Sequence, residues 1–298
     1  MKKIFGDSLG QAVSMFCLGL FALICILPVI LVIIVSFSSQ SSIAANGYSF
    51  FPSEWSVEAY EYVGRFGGQL KQSYLVTIYE TVCGTLLTLL LTSLMGYVLS
   101  RKDFMLRKYI TGYILVTMLF GGGLMSSYII NTSVYNLRNN LLVLIVPGAV
   151  SAYTCFVMRT FISANVPDSL VEAAKIDGAS EYYLFFRIII PIIVPVIAAM
   201  GFMTAVGHWN EWQTAYLYID KPEYSTLQLM LVRIETSLNF FRENLLNLSA
   251  EEMDQLRRAP TDSARMAILI ISLGPVMLMY PFFQRFFIKG ITIGAVKG

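Results

Sequence analysis

The chain has 298 residues, of which 56% are hydrophobic and 13% are charged, and its mean hydropathy is +0.65. Since soluble globular proteins carry roughly 25% charged residues, this composition indicates an integral membrane protein. The net charge of +2, without basic runs interleaved with aromatic residues, excludes a nucleic-acid-binding surface. The four cysteines lie in apolar runs without ligand spacing, and there is one histidine, so we expect no metal site.

Six apolar segments are long enough to cross a bilayer, which takes about 20 residues in a helix. They cover roughly residues 13–37, 73–99, 109–130, 140–162, 188–208 and 266–287. The first is longer than the apolar core of a signal peptide, so we interpret it as a retained anchor. The sequence therefore predicts an all-α integral membrane protein with six transmembrane helices, forming one domain over residues 1–298.

The orientation follows from the distribution of basic residues between the predicted spans. The short loop "SRKDFMLRK" holds four basic residues and one acid, and short basic loops stay on the cytoplasmic side. Both termini and the loop at 165–191 are then cytoplasmic, while two long connections, about 38–72 and 209–265, lie outside. Within the second, "LQLMLVRIETSLNFF" is apolar enough to form a packed helix.

The loop at 165–191 reads as a short soluble helix between two spans. Pro167 suits its first position and Asp168 its positively polarised first turn, and Gly178 supplies a left-handed stop after about eleven residues. Ser180 is a candidate N-cap for a second helix, which Pro191 and Pro195 would bend on its way into the fifth span. The alanines of the first helix favour docking against another protein, and an interfacial helix lying on lipid is the alternative.

This loop resembles the EAA loop of binding-protein-dependent ABC importer permeases. The matching residues are Glu172-Ala173-Ala174, then Gly178 after three residues, Ile188 after nine more, and Ile190-Pro191 after one more. That pattern is EAA-x3-G-x9-I-x-L-P, and only its leucine is replaced, by Ile190. The segments "YVLSRKDF", "GHWNEWQTAYLYI" and "YPFFQRFFIKGITIGAVKG" are similar to the maltose-type, carbohydrate subgroup, in particular to the complex-oligosaccharide branch with lipoprotein-anchored binding proteins.

The resemblance implies a type I ABC importer permease fold in which a cytoplasmic coupling helix docks in a cleft of an ATPase. The implied partners are a second homologous permease, an ABC ATPase dimer, an extracellular solute-binding protein and a carbohydrate, in the bilayer of a bacterial plasma membrane. ATP and magnesium would bind the ATPase and no cofactor this chain, which contains no GxxxxGK[ST] phosphate-binding loop. The implied ATPase-coupling residues are Glu172, Ala173, Ala174, Asp177, Gly178, Gln284, Gly290 and, further along the tail, Gly294. Binding of Lys289 and Lys297 to lipid headgroups is the alternative for this tail.

Three places carry polar or irregular elements where membrane proteins tolerate them only against protein or water. The candidate substrate-path residues are Glu80, Gly122, Gly123, Ser126, Ser127, Tyr128, Trp209, Asn210, Glu211 and Trp212. Sugars present apolar C–H faces ringed by hydroxyls, which suits the mixture of aromatic, amide and carboxylate groups at 209–212. The alternatives are close helix packing at the glycines and along a threonine stripe beside Glu80, snorkelling of Glu80 to the interface, and an aromatic belt.

Two other functional classes fit less well. An intramembrane hydrolase or glycosyltransferase needs a nucleophile with a base or an acidic pair, and neither GxSG nor HExxH occurs. A passive channel would explain six spans but not the EAA pattern. The sequence therefore favours one permease half of an ATP-driven oligosaccharide importer, a transport subunit and not an enzyme.

Overall fold

The computed structural model describes residues 2–243 and 261–295, and its regular secondary structure within these ranges is helical. The helices are α1 (Lys2–Ser36), α2 (Gln40–Asn46), α3 (Glu58–Gly64), α4 (Gly67–Ser100), α5 (Arg107–Leu119), α6 (Leu124–Ile129), α7 (Ala152–Asn165), α8 (Asp168–Ile176), α9 (Glu181–Tyr183), α10 (Ile190–Trp209), α11 (Gln213–Tyr218), α12 (Leu227–Glu243) and α13 (Thr261–Ala295). Short π-helical segments follow α6 (Ile130–Val134) and α9 (Leu184–Ile189), and 3-10 turns form at Leu141–Leu144 and Pro222–Tyr224.

Four helical segments are long and apolar enough to span a membrane, namely Gly10–Ser36, Gly67–Ser100, Glu181–Trp209 and Asp262–Pro281. They coincide with the first, second, fifth and sixth predicted spans. A fifth span results if the bent pair Arg107–Leu119 and Leu124–Val134 is counted as one. The predicted helix at 227–241 is confirmed as α12.

The third predicted span is broken at its glycines. α5 ends at Leu119 and α6 begins at Leu124, with a bend of 111° between the two halves. Gly123 has φ +80° and ψ 160°, a conformation that a side chain would disfavour. The break therefore follows from the loss of both side-chain packing and helical backbone geometry across Gly121–Gly123.

The fourth predicted span is wrong as one continuous helix over 140–162. Only Leu141–Leu144 form a 3-10 turn there, and α7 starts at Ala152, where the Ser151 side chain accepts a hydrogen bond from the Thr154 amide. Pro147 and Gly148 stand between the two elements and interrupt regular helix formation. The 14 residues of α7 rise about 21 Å, less than the roughly 30 Å of a hydrocarbon core.

The chain divides into two compact units, of which one comprises Met1–Gly68 with Arg233–Gly274 and the other Gln69–Val232 with Pro275–Gly298. In the first unit, Ser38 and Trp55 form an isolated antiparallel bridge after α1, and the Gln40 side-chain amide donates to Asp262 on α13 at 3.1 Å. The second unit holds every candidate residue of the loop at 165–191 and of the path. Its main core packs the end of α4 and α7 against α10, around Met158, Phe185 and Ile189.

Candidate functional site

α8 is the predicted soluble helix, and its two ends are defined by local signals. It begins at Asp168, one residue later than predicted, with Pro167 in an extended conformation before it. At its end Ala179 N donates to Ala174 O at 2.9 Å and Gly178 N to Lys175 O at 3.0 Å. This pair of hydrogen bonds with Gly178 at φ +80° is a Schellman motif. The prediction of a left-handed glycine stop is confirmed.

One side of α8 is packed and the other is open to solvent. Val171 is buried and Ala174 packs against the main core, whereas Glu172, Ala173 and Asp177 are exposed. Ile176 is 86% exposed and shares the open face with Ala173. Sequence reasoning did not single out Ile176, although its spacing of three from Ala173 and four from Glu172 was a readable signal.

The chain then turns at Gly178 and runs without interruption into the long helix. The Ser180 side chain accepts from the Tyr183 amide at 3.3 Å, which confirms the predicted N-cap. Leu184 and Phe185 are buried in the main core, so core packing fixes the start of the segment from α9 to α10, which we call the α9–α10 arm. Helical structure continues through Pro191 and Pro195 to Trp209. A short exposed helix and a long buried one thus meet at one glycine.

An ion-pair network joins α8 to the loop that follows α4. Asp103 accepts from Arg101 at 2.7 Å and from Lys175 at 3.3 Å, and Lys175 also contacts Glu181 at 2.7 Å. The Arg101 guanidinium, together with Lys175, holds the pKa of Asp103 well below its usual range. The Tyr97 hydroxyl donates to Glu181 at 2.6 Å. The network therefore ties the last turn of α8 and the first residue of α9 to the end of α4.

The last glycines of the break and the serines of α6 that follow are exposed. Gly122, Gly123, Ser126 and Ser127 are all exposed, and the Ser127 hydroxyl donates back to the Gly123 carbonyl at 3.0 Å. The Ser127 hydroxyl and the Gly123 carbonyl therefore bond to each other in this conformation. Whether they meet a substrate stays a prediction.

Tyr128 connects α6 to α11, the helix that follows Trp212. Its ring stacks on that of Tyr218, with 5.5 Å between centroids and 18° between planes. The Asn131 side-chain amide donates to the Tyr218 hydroxyl at 3.1 Å. The fold thus joins the segments after the glycine break and after α10, although Asn131 and Tyr218 are 87 positions apart in sequence. Sequence reasoning missed Asn131 and Tyr218, because their partnership depends on the fold.

The four residues at 209–212 have different environments. Trp209 is 3% exposed and belongs to the interior, whereas Trp212 is 42% exposed. The Glu211 carboxylate accepts from the Thr214 amide at 2.8 Å and so caps α11. Asn210 is exposed, and its side chain donates to the Val206 carbonyl. Of the four, Asn210 and Trp212 present the most surface to a ligand.

Glu80 and the C-terminal residues complete the predicted set. Glu80 is fully buried, with its Oε1 atom 3.6 Å from Nδ1 of His208, so it does not snorkel to an interface. Gln284 is exposed on α13, and Gly290 and Gly294 fall within the same helix. Lys297 lies outside the described residues. The EAA segment thus lies on α8 and the turn after it, whereas the path residues are distributed over α4, the region of the glycine break and the end of α10.

This arrangement matches a known family. The model of the family "Binding-protein-dependent transport system inner membrane component" matches residues 3–293. The chain is 34% identical over 280 residues to the polygalacturonan/rhamnogalacturonan transport system permease protein YtcP of Bacillus subtilis, covering 94% of this chain and 95% of that protein. It is 33% identical over 283 residues to protein LplC of the same organism, covering 94% and 92%.

A solved structure has the same fold. It is a chain from the crystal structure of a bacterial ABC transporter involved in the import of the acidic polysaccharide alginate, with a TM-score of 0.78 and 26% identity. The match covers 95% of this chain and 98% of that one. Family, relatives and fold agree on a transport subunit without a catalytic role. The chain belongs to the binding-protein-dependent transport system inner membrane components, the membrane-spanning permeases of bacterial ABC transporters.

Proposed function

We propose that this chain is one permease half of an ATP-driven importer that carries an oligosaccharide delivered by a solute-binding protein. The observation that carries the coupling part of this proposal is the EAA segment, a nine-residue helix with a Schellman stop and one open face. A helix of this length is marginal in water on its own, so the contacts of Val171 and Ala174 with the core maintain it.

The open face of α8 suits a protein cleft. Glu172 and Asp177 supply carboxylates, Ala173 leaves room for a neighbouring backbone, and the exposed Ile176 supplies an apolar anchor. We assign this face to the ATPase, whose nucleotide-driven closure would displace α8. Gln284 and Gly290 on α13 are assigned to a second ATPase contact, and ATP and magnesium to the ATPase alone.

The proposed topology has six membrane crossings with both termini cytoplasmic. α1, α4, the α9–α10 arm and α13 supply four crossings, and the bent α5–α6 pair supplies the third in chain order. For the fourth we assign residues 141–165, in which the 3-10 turn and the irregular Pro147–Gly148 stretch extend the short α7. Such irregular backbone is tolerated at membrane depth when it lies against protein or water.

The substrate class comes from the names of similar proteins. Besides the polygalacturonan/rhamnogalacturonan and alginate transporters, the arabinooligosaccharides transport system permease protein AraQ of Halalkalibacterium halodurans is 25% identical over 280 residues. These names share carbohydrate polymers or oligomers, and we extend that class to this chain. The exposed Trp212 ring, the Asn210 amide and the hydroxyls after the glycine break offer matching chemistry along the path.

Reconstitution tests this function directly. The chain is assembled in proteoliposomes with a second permease, an ATPase and a binding protein that co-purify with it, and uptake of labelled polygalacturonan-derived, arabinose-containing and alginate-derived oligosaccharides is measured. We expect saturable uptake of at least one oligosaccharide that requires ATP and the binding protein. An ATPase whose P-loop lysine is replaced provides the matched control. Uptake that persists without ATP, or no uptake of any sugar that the binding protein binds, would contradict the proposal.

A further inference from the structure

Glu80 is a charged residue in the interior of α4. Its side chain is fully buried, and neither carboxylate oxygen accepts a hydrogen bond from the residues that the structure describes. The imidazole of His208 near the end of α10 is close to it, with 3.6 Å between Oε1 and Nδ1, which is longer than a hydrogen bond. Because burial of an unpaired carboxylate is strongly unfavourable, the position of His208 matters for the stability of this helix pair.

Gly84 lies one helical turn beyond Glu80 and makes room for the imidazole of His208. A methyl group built on Gly84 would lie 2.7 Å from both Cε1 and Nε2 of that ring. Real carbon atoms essentially never approach this closely, so any side chain at position 84 would displace His208. Glu80 and Gly84 therefore contact the imidazole from two directions, Glu80 with a carboxyl oxygen near Nδ1 and Gly84 by leaving room for the ring.

The same face of α4 holds both ends of the segment at 209–227. The rings of Tyr74 and Trp209 are 6.2 Å apart, and Trp209 directly precedes the exposed Asn210. The Thr77 hydroxyl accepts from the Leu227 amide at 2.8 Å, at the first residue of α12. The segment that carries Trp212 is thus attached to α4 at both ends, through Trp209 and through Leu227.

The other end of the same helix pair is also tied. Tyr97, near the end of α4, donates to Glu181 at 2.6 Å, and its ring lies 5.5 Å from that of Phe185. Between the two ends, a methyl group built on Gly201 of α10 would be 3.1 Å from Cδ1 of Leu89. Contacts thus run along α4 from Glu80 to Tyr97.

We propose that Glu80, Gly84 and His208 form a positioning cluster that fixes the 209–227 segment to α4. When the EAA segment is displaced, α4 and α10 then move as one body and carry this segment with them. The proposal rests on the proposed function and adds three positioning residues to it. None of the three needs to touch the substrate.

The test compares alanine substitutions at two glycines. Gly84→Ala places a methyl group against His208, whereas Gly207→Ala, beside His208 on α10, adds a methyl group with nothing within 4 Å. In the reconstituted importer we expect Gly84→Ala to lower the amount of sugar transported per ATP hydrolysed by about tenfold, and Gly207→Ala to leave it unchanged. This ratio is corrected for the amount of assembled complex, so it does not follow a simple loss of protein.

A double substitution separates steric displacement from general damage. His208→Ala removes the ring that Gly84→Ala would strike, so the double variant should transport no worse than His208→Ala alone. If Gly84→Ala prevents insertion, recovery of insertion in the double variant supports the contact, and its absence overturns the proposal. A normal transport ratio for Gly84→Ala or for His208→Ala overturns it as well.

A second measurement needs no transported sugar. The thermal unfolding midpoints of the detergent-purified full chain are compared for wild type, Gly84→Ala, His208→Ala and the double variant. We expect the loss in the double variant to be clearly smaller than the sum of the two single losses. Additive losses would refute the cluster even if the importer functions, whereas absent wild-type uptake with non-additive losses would refute only the proposed function.

Discussion

Replacement of Gly178 gives the sharpest test of the EAA segment as a coupling element. The residue has φ +80°, and a side chain built there would meet nothing within 4 Å. A substitution therefore destabilises the turn through backbone strain alone. The strain is about 1–2 kcal/mol for an ordinary residue in the left-handed region and more for a β-branched residue. Since about 1.4 kcal/mol is a factor of ten, replacement of Gly178 by valine should lower the equilibrium constant for forming the turn between α8 and α9 by about one to two orders of magnitude.

The assay is ATP-dependent sugar uptake for the series Gly178→Asn, Gly178→Ala and Gly178→Val, with membrane insertion checked for each variant. Asparagine tolerates the left-handed conformation best, so uptake should fall in that order. Gly47→Val is the matched control, because Gly47 has φ +68° and equally open surroundings but lies in the other unit. Normal uptake by Gly178→Val, or an asparagine variant worse than the valine variant, would refute the reasoning.

Two further predictions concern contacts of α4 and of the loop that follows it. Thr77→Val leaves the buried amide of Leu227 without its acceptor and should lower the free energy of unfolding by about 1–3 kcal/mol. Thr85→Val is the control and should cost little, because the buried Thr85 hydroxyl has no partner among the described residues. Thermal unfolding of the purified chain measures both. The hydrogen bond from Arg101 lowers the pKa of Asp103, so the stabilisation by this carboxylate is complete above its unfolded pKa of about 3.9 and is lost as the pH falls towards the lower folded value. Asp103→Asn should therefore lower the unfolding midpoint at pH 7. The loss of stability should be about 0.2–1 kcal/mol, because the Arg101–Asp103 pair is half exposed. A difference in midpoint between the variant and wild type that grew below pH 4 would contradict this.

The parts of the fold that were predictable from sequence depend on local signals. Runs of more than 20 apolar residues identify four long helices, because the hydrocarbon core sets their minimum length. The ends of α8 follow from Pro167 and Gly178, whose backbone preferences act within one turn. The same kind of signal was present at Pro147 and Gly148, and apolar composition alone concealed the break that they cause in the fourth predicted span.

The parts that were not predictable depend on how distant helices face each other. Glu80 and His208 are 128 positions apart, so their pairing requires the relative rotation of α4 and α10, which no local pattern contains. The stacking of Tyr128 on Tyr218 has the same origin. Sequence reasoning identified Glu80 and Tyr128 as unusual at membrane depth, but it had no basis for naming their partners.

Under the proposed function, the environments of the residues at 209–212 bear on how movement of α10 would act on a substrate. Trp209 is interior and the Glu211 carboxylate caps α11, so both serve the local structure. Trp212 is left as the exposed ring, held between the end of α10 and the first turn of α11. An edge-on contact with the Tyr216 ring, 6.1 Å between centroids, joins it to α11. Displacement of α10 would therefore move Trp212 together with the surface around it, and access to that surface would change because the whole segment shifts with α4.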